Sequence, residues 1–228
     1  MSGDGFPTSY APLEKLLGHR FKDKRYLEEG LTHKSYAMDR GGAIAFNERL
    51  EFLGDSIISA IVADHLFFRY PNDDEGKLSQ IKSHLVSRQT LTEWAKEIEL
   101  GQFIRMSRAE EATGGRERNS ILGNTLESVV GALYLEAGYL TVHRFVSKRL
   151  KQRKRIVVSD YKSKLQEVIQ KTYKSPPEYA VHQTIGPEHD KTFEVVVRIQ
   201  KTQLGSGRGK SKKEAEQAAA RAALKKLR

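Results

Sequence analysis

The stretch Asn47-Glu-Arg-Leu-Glu-Phe-Leu-Gly-Asp55 holds three carboxylates at a spacing that could do chemistry. Glu48, Glu51 and Asp55 stand at i, i+3 and i+7, so a helix would present all three on one face. Like charges one turn apart oppose helix formation, and these interrupt an otherwise apolar pattern. Burying them is costly unless something positive neutralises them. Gly54 is a second anomaly, since a mid-helix glycine costs roughly 1 kcal/mol against alanine. It makes sense where another backbone must come close.

A candidate for that second element is Ile121-Leu-Gly-Asn-Thr-Leu-Glu127, continuing through Ser-Val-Val to Gly131. Asn124 and Glu127 share a helical face there, with Gly123 and Gly131 nearby. Two facing helices with oxygen ligands in a chain without cysteine make a hard-cation site, with Mg²⁺ the first choice. Such a site suits phosphodiester hydrolysis, in which water attacks and products carry 5′-phosphate and 3′-hydroxyl ends. The rival chemistry uses a histidine pair on the RNA 2′-hydroxyl. The seven histidines show no metal-type or acid/base spacing. His19, His65, His84, His143 and His182 read as surface or packing residues, while His33 and His189 fall inside recognisable motifs.

The elements that must position these groups are helical over the first two thirds of the chain. Tyr10–Leu17 is a short amphipathic pattern, and Lys24–Tyr36 contains Leu27 and Leu31. A long helix is expected over Asn47–Tyr70, with Leu50, Leu53, Ile57, Ile61 and Leu66 at helical spacing, and Pro71-Asn-Asp-Asp74 ends it. Further helices are expected over Leu78–Ile98 and Ser120–Glu136, separated by a loop at Ala112–Asn119. Lys148–Arg155, with six basic residues in eight, reads as a helix end running into a linker.

Beyond it the periodicity changes to α-β-β-β-α. The pattern gives a helix over Asp160–Thr172 and strands over Glu178–Gln183, Phe193–Gln200 and Thr202–Ser206. A last helix over Ser211–Leu227 starts at a capping box made by Ser211 and Glu214. The fold expected is an all-α domain at 1–150, a basic linker at 151–158 and a small α+β domain at 159–228.

Net charge is +10, and it is unevenly spread. Residues 155–228 hold 16 Lys/Arg against 8 Asp/Glu; the first 154 hold 23 against 21. The C-terminal third therefore reads as a polyanion-binding module on a nearly neutral body. Double-stranded RNA asks for polar groups in its wide minor groove and cations for its phosphates. Gln166 and Gln170 stand one turn apart, the Gly186–His189 loop can carry a second probe, and Lys210, Lys212 and Lys213 stand at a helix start that favours phosphate. No apolar run reaches the roughly 18 residues of a bilayer span, no signal-like N-terminus is visible, and the lack of cysteine fits a reducing cytoplasm.

Asn47–Asp55 resembles the signature of the ribonuclease III family. The resemblance extends to Leu31-Thr-His-Lys-Ser-Tyr36, Glu75-Gly-Lys-Leu-Ser79 and Gly131-Ala-Leu-Tyr-Leu-Glu-Ala-Gly138, and the C-terminal module resembles a double-stranded RNA-binding domain. It implies an endoribonuclease for structured RNA such as rRNA and mRNA precursors, cytoplasmic, with Mg²⁺ or Mn²⁺ and no small-molecule cofactor. It also implies a homodimer in which each copy cuts one strand. By it, Glu51, Asp55 and Glu127 are metal ligands, Asp55 and Glu127 are catalytic, and Glu48 and Glu75 assist nearby. Asn124 stands where the family usually has Asp; its amide oxygen can still bind a cation but brings no charge. That keeps an alternative open, a duplex-binding protein with weak or lost cleavage. A basic DNA-coating protein would explain the charge but not the carboxylate helix.

Overall fold

The computed structural model describes residues 9–152, 161–187 and 191–227. The chain divides into two compact units, Met1–Ile156 and Val157–Arg228. Of the expected linker, Lys151 and Gln152 close a helix; the rest lies outside the described residues. Among the described residues no helix is long and apolar enough to cross a membrane.

The first unit is helical. α1 (Ala11–Leu17) stops at Gly18 in the left-handed region, and α2 (Lys24–Gly30) starts where the Asp23 carboxylate accepts from the Arg25 N–H. The pattern over Lys24–Tyr36 is not continuous. Thr32 leaves the helix, its Oγ1 donating to the Glu28 carbonyl at 2.6 Å, and a short parallel bridge ties it to Arg105. The chain turns helical again in α3 (Lys34–Met38), where the His33 ring accepts from the Ser35 N–H.

α4 (Glu48–Arg69) buries Leu50, Gly54, Ile58, Ile61, Val62 and Leu66, while Leu53 and Ile57 stay half-buried. Gly54 belongs to the stripe because that is where α8 (Asn119–Ala137) crosses. α8 is buried on most sides, through residues such as Leu122, Leu126, Val129 and Leu133. The apolar rhythm expected as one helix from Leu78 to Ile98 is two. α5 (Glu75–Leu85) ends before Val86, and the Ser87 hydroxyl caps α6 (Arg88–Glu97) by accepting from the Thr90 N–H at 3.3 Å. The expected loop follows a short α7 (Arg108–Ala112) and holds a 3₁₀ turn at Gly115–Glu117. α9 (Tyr139–Gln152), of which sequence reading saw only the basic end, buries Val142, Phe145, Val146 and Leu150.

The second unit has the expected order: α10 (Tyr161–Tyr173), β1 (Glu178–Ile185), β2 (Thr192–Ile199), β3 (Thr202–Gly209) and α11 (Lys212–Lys226). The strands form one antiparallel sheet in the order β1-β2-β3. Val195, Val197 and Ile199, at period two, join Leu165, Ile169, Ala219 and Ala223 in one core, so both helices cover the same sheet face. A Cβ at Gly207 would sit 2.2 Å from the Ala219 nitrogen, which is why β3 is glycine-rich and α11 alanine-rich. The capping box is displaced by one residue. Ser211 accepts from the Glu214 N–H as expected, but Glu214 reaches back to the N–H of Lys210.

Candidate active site and RNA-contact residues

α4 and α8 touch backbone to backbone. A Cβ at Gly54 would lie 1.8 Å from the Glu127 carbonyl oxygen, and one at Gly131 would lie 2.3 Å from that of Leu50. No side chain fits in either place, so both glycines are steric requirements of the crossing. Gly123 is different: a Cβ there would meet only the Arg88 side chain at 3.6 Å, an ordinary contact. α8 is held from two sides. The buried Ser128 hydroxyl donates to the Gly30 carbonyl at 2.6 Å, and Thr92 of α6 donates to that of Asn119 at 2.8 Å.

This crossing brings Glu51, Asp55, Asn124 and Glu127 together. Burial raises the pKa of Glu51; repulsion from Glu48 and Asp55 adds to it, while a hydrogen bond from the Asn124 amide and the Arg88 charge oppose it. Glu127 is pushed up to about 8, first by burial and then by repulsion from Asp55 and Glu51, with Arg88 opposing. Glu51 and Glu127 are half-buried and Asp55 is exposed. Among the described residues no three His, Asp or Glu side chains already converge as a finished cation cage. The donor set nevertheless fits a divalent cation. It consists of oxygen donors that repel one another at a partly dry site, and a cation relieves that repulsion.

The other expected acids lie further out. Glu48 is exposed, pairs with Lys34 at 3.2 Å and acts on Glu51 only through its charge. Glu75 opens α5 and accepts from Ser79 at 3.3 Å, and it is not among the charges that act on Glu51 or Glu127. Arg88 was missed. Its charge acts on both half-buried carboxylates, yet in sequence it is one Arg after a serine cap, with no distinguishing signal. His33 is a helix cap, and burial lowers its pKa.

In the second unit Gln166 and Gln170 are exposed on α10, and Lys210, Lys212 and Lys213 are exposed at the start of α11. His189 lies outside the described residues.

Residues 23–154 match the family model for a ribonuclease-III-like domain, and residues 161–227 match that for the double-stranded RNA binding motif. Ribonuclease 3 of Caldanaerobacter subterraneus is 43% identical over 94% of this chain and 96% of its own. Ribonuclease 3 of Aliarcobacter butzleri is 41% identical over 97% and 99%. The nuclease domain of Campylobacter jejuni ribonuclease III, from a study of flexibility in a region involved in its dimer formation, superposes with a TM-score of 0.60 at 38% identity. That match covers 65% of this chain and all of that one. The carboxylate crossing, the α-β-β-β-α module and these likenesses agree: the chain belongs to the ribonuclease III family of double-stranded-RNA endoribonucleases.

Proposed function

We propose that the chain cuts RNA duplexes by hydrolysis at the face shared by α4 and α8, leaving 5′-phosphate and 3′-hydroxyl ends. The observation that carries this reading is Glu127, a half-buried carboxyl held up to about 8 beside Glu51 and Asp55. Carboxyls raised by burial and by each other mark a site that wants positive charge. Glu51, Asp55, Asn124 and Glu127 would hold a divalent cation, Mg²⁺ with Mn²⁺ able to substitute. When bound, such a cation polarises the phosphate and lowers the pKa of water. Asp55 and Glu127 are the catalytic pair in this reading. Asn124 orients Glu51 through its amide, Arg88 tempers the negative field, Glu48 shapes its edge, and Glu75 assists from the start of α5.

Gln166 and Gln170 would meet the minor groove, His189 would add a second contact, and Lys210, Lys212 and Lys213 would meet phosphates. The same reading makes the chain a homodimer. Phe52 is 79% exposed on α4 beside a groove of about 720 Å³ lined by Tyr26, Leu53 and Leu135, a pairing of knob and hollow suited to a second copy. The dimer-forming region of the Campylobacter neighbour supports this. We take the compartment to be the cytoplasm and the substrates to be structured RNA such as rRNA and mRNA precursors.

The test is to incubate the chain with RNA and DNA duplexes, with Mg²⁺ or with a chelator, and to map the ends. Cutting of RNA alone, abolished by the chelator, with 5′-phosphates is expected. Cyclic phosphate ends, or cutting indifferent to the chelator, would overturn the reading.

A further inference from the structure

We propose that the groove between α10 and α11 docks an acidic, amphipathic helix of a partner protein, on a face of the C-terminal unit distinct from the one assigned to RNA. The groove encloses about 520 Å³. Its floor is apolar, made by Tyr161 and Val168 of α10 and by Leu224 and Leu227 at the end of α11. Val168 is 42% and Leu227 38% exposed, whereas Leu165, Ile169, Ala219 and Ala223 of the same helices are buried. The apolar surface of the two helices therefore continues past the core and out into this trough.

Lys164, Arg221 and Lys225 line the trough as well, against a single carboxylate, Glu167. Among the described residues no carboxylate pairs with Lys164 or Lys225, and Arg221 lies over the Tyr161 ring at 5.6 Å. Two other cations of the unit are neutralised, Lys162 by Glu216 at 2.7 Å and Arg208 by Glu194 at 3.1 Å. An apolar trough whose walls carry three cations against one carboxylate selects its occupant by complementarity. Apolar anchors at i, i+3 or i+4 fill the floor, and Asp or Glu on the flanks meets the cations.

An RNA duplex fits this groove poorly, since its backbone has no use for four apolar side chains. At about 100° per residue, Gln166 and Gln170 point roughly 160° away from the mean direction of Tyr161, Lys164 and Val168. Glu167 lies on the edge between the two faces. Lys213 stands about 12 Å along α11 from Arg221. The inference rests on the RNA-face assignment only in treating the two faces as separate.

The test uses the full chain and a labelled synthetic helix with leucines at i, i+3, i+4 and i+7 flanked by glutamates. Its partner probe has every glutamate replaced by lysine. Fluorescence anisotropy should show the acidic helix binding with an affinity on the order of micromolar, and the basic helix at least about tenfold more weakly. The double variant Lys164→Glu/Lys225→Glu should lower that affinity by about tenfold or more while RNA-duplex binding stays within about twofold. Val168→Ser should weaken it too, and Lys212→Glu/Lys213→Glu should leave it unchanged. Equal binding of the two helices would overturn the proposal. So would loss of peptide binding in Lys212→Glu/Lys213→Glu, which would mean that the attraction is merely general. Loss of RNA affinity in Lys164→Glu/Lys225→Glu would instead make the groove an RNA surface.

Discussion

In the first unit α4 meets α8 at Gly54 and Gly131; in the second, β3 meets α11 at Gly205, Gly207 and Gly209. Both contacts bring backbones too close for a side chain, so the packing device is the same. What flanks it differs. Around Gly54 stand Glu51, Asp55, Asn124 and Glu127, whereas α11 turns alanines and the capping Glu214 toward β3 and keeps its lysines at its ends. A glycine-marked contact is thus no evidence of chemistry by itself. It becomes so when like charges are forced together beside it, because packing then holds groups that would otherwise separate.

The sharpest way to break that comparison is to remove charge from one contact only. Glu127→Gln keeps the shape and should lower duplex cleavage by on the order of 10³-fold, with RNA affinity unchanged in a gel-shift assay. Cleavage within a few-fold of the parent chain would make Glu127 a packing residue, and the two contacts would then be equivalent.

Steric changes should hit both contacts alike. Gly54→Ala and Gly207→Ala each force a Cβ against backbone, and overpacking of this kind costs about 1–3 kcal/mol. Gly123→Ala, which meets only the Arg88 side chain, should stay within about 0.5 kcal/mol in urea denaturation. If Gly123→Ala proved as damaging as Gly54→Ala, the crossing would be centred elsewhere along α8.

Legibility followed the same division. Gly54 and the i, i+3, i+7 carboxylates announced the α4–α8 contact because they break the rules of an isolated helix. Ser87 did not announce the break between α5 and α6. The apolar rhythm runs straight through it, and a serine cap is equally at home on a helix surface. The Thr32–Arg105 bridge pairs residues too far apart in sequence for any local pattern to record. Arg88 was invisible for the same reason, since its role arises only when α6 and α8 are packed together. Of the glycines of β3 only Gly205 falls in the expected strand Thr202–Ser206. The strand runs on through Gly207 and Gly209, which alternating Gly does not signal because it carries no hydrophobic period. The residues of α11 opposite them, Glu214 and the alanines, explain the spacing.

Asn124 sharpens the comparison within the site itself. Its amide hydrogen-bonds Glu51, a contact that Asn124→Asp would exchange for a fourth negative charge. Near a divalent cation, one added charge is worth about 1–4 kcal/mol at effective dielectric constants between water and a protein surface. The half-saturating Mg²⁺ concentration for cleavage should therefore fall by about tenfold or more, each 1.4 kcal/mol being a factor of ten. The rate at saturating metal should change less. A chain inert at every metal concentration until Asn124→Asp is introduced would be a duplex binder, and the cleavage reading would fail.

The smallest effect expected contrasts two helix caps. The His33 ring accepts from the Ser35 N–H at 3.3 Å at the start of α3, while the Ser211 hydroxyl does the same work for α11 at 3.2 Å. Burial lowers the His33 pKa, with Arg118 adding to the shift and Glu110 and Glu48 opposing it. A histidine depressed in the folded state contributes stability that is fully present above its unfolded pKa of about 6.5 and is lost as pH falls through the lower folded value. Protonation also turns the acceptor nitrogen into a donor, which removes the cap. Caps of this kind are worth about 1 kcal/mol, so thermal midpoints should slip by a few degrees as pH drops from about 7 towards 5. His33→Asn supplies a cap that does not titrate and should flatten that slope, whereas Ser211→Ala should lower stability equally at both ends of the range. An unchanged slope in His33→Asn would assign the loss to other groups and leave the two caps indistinguishable.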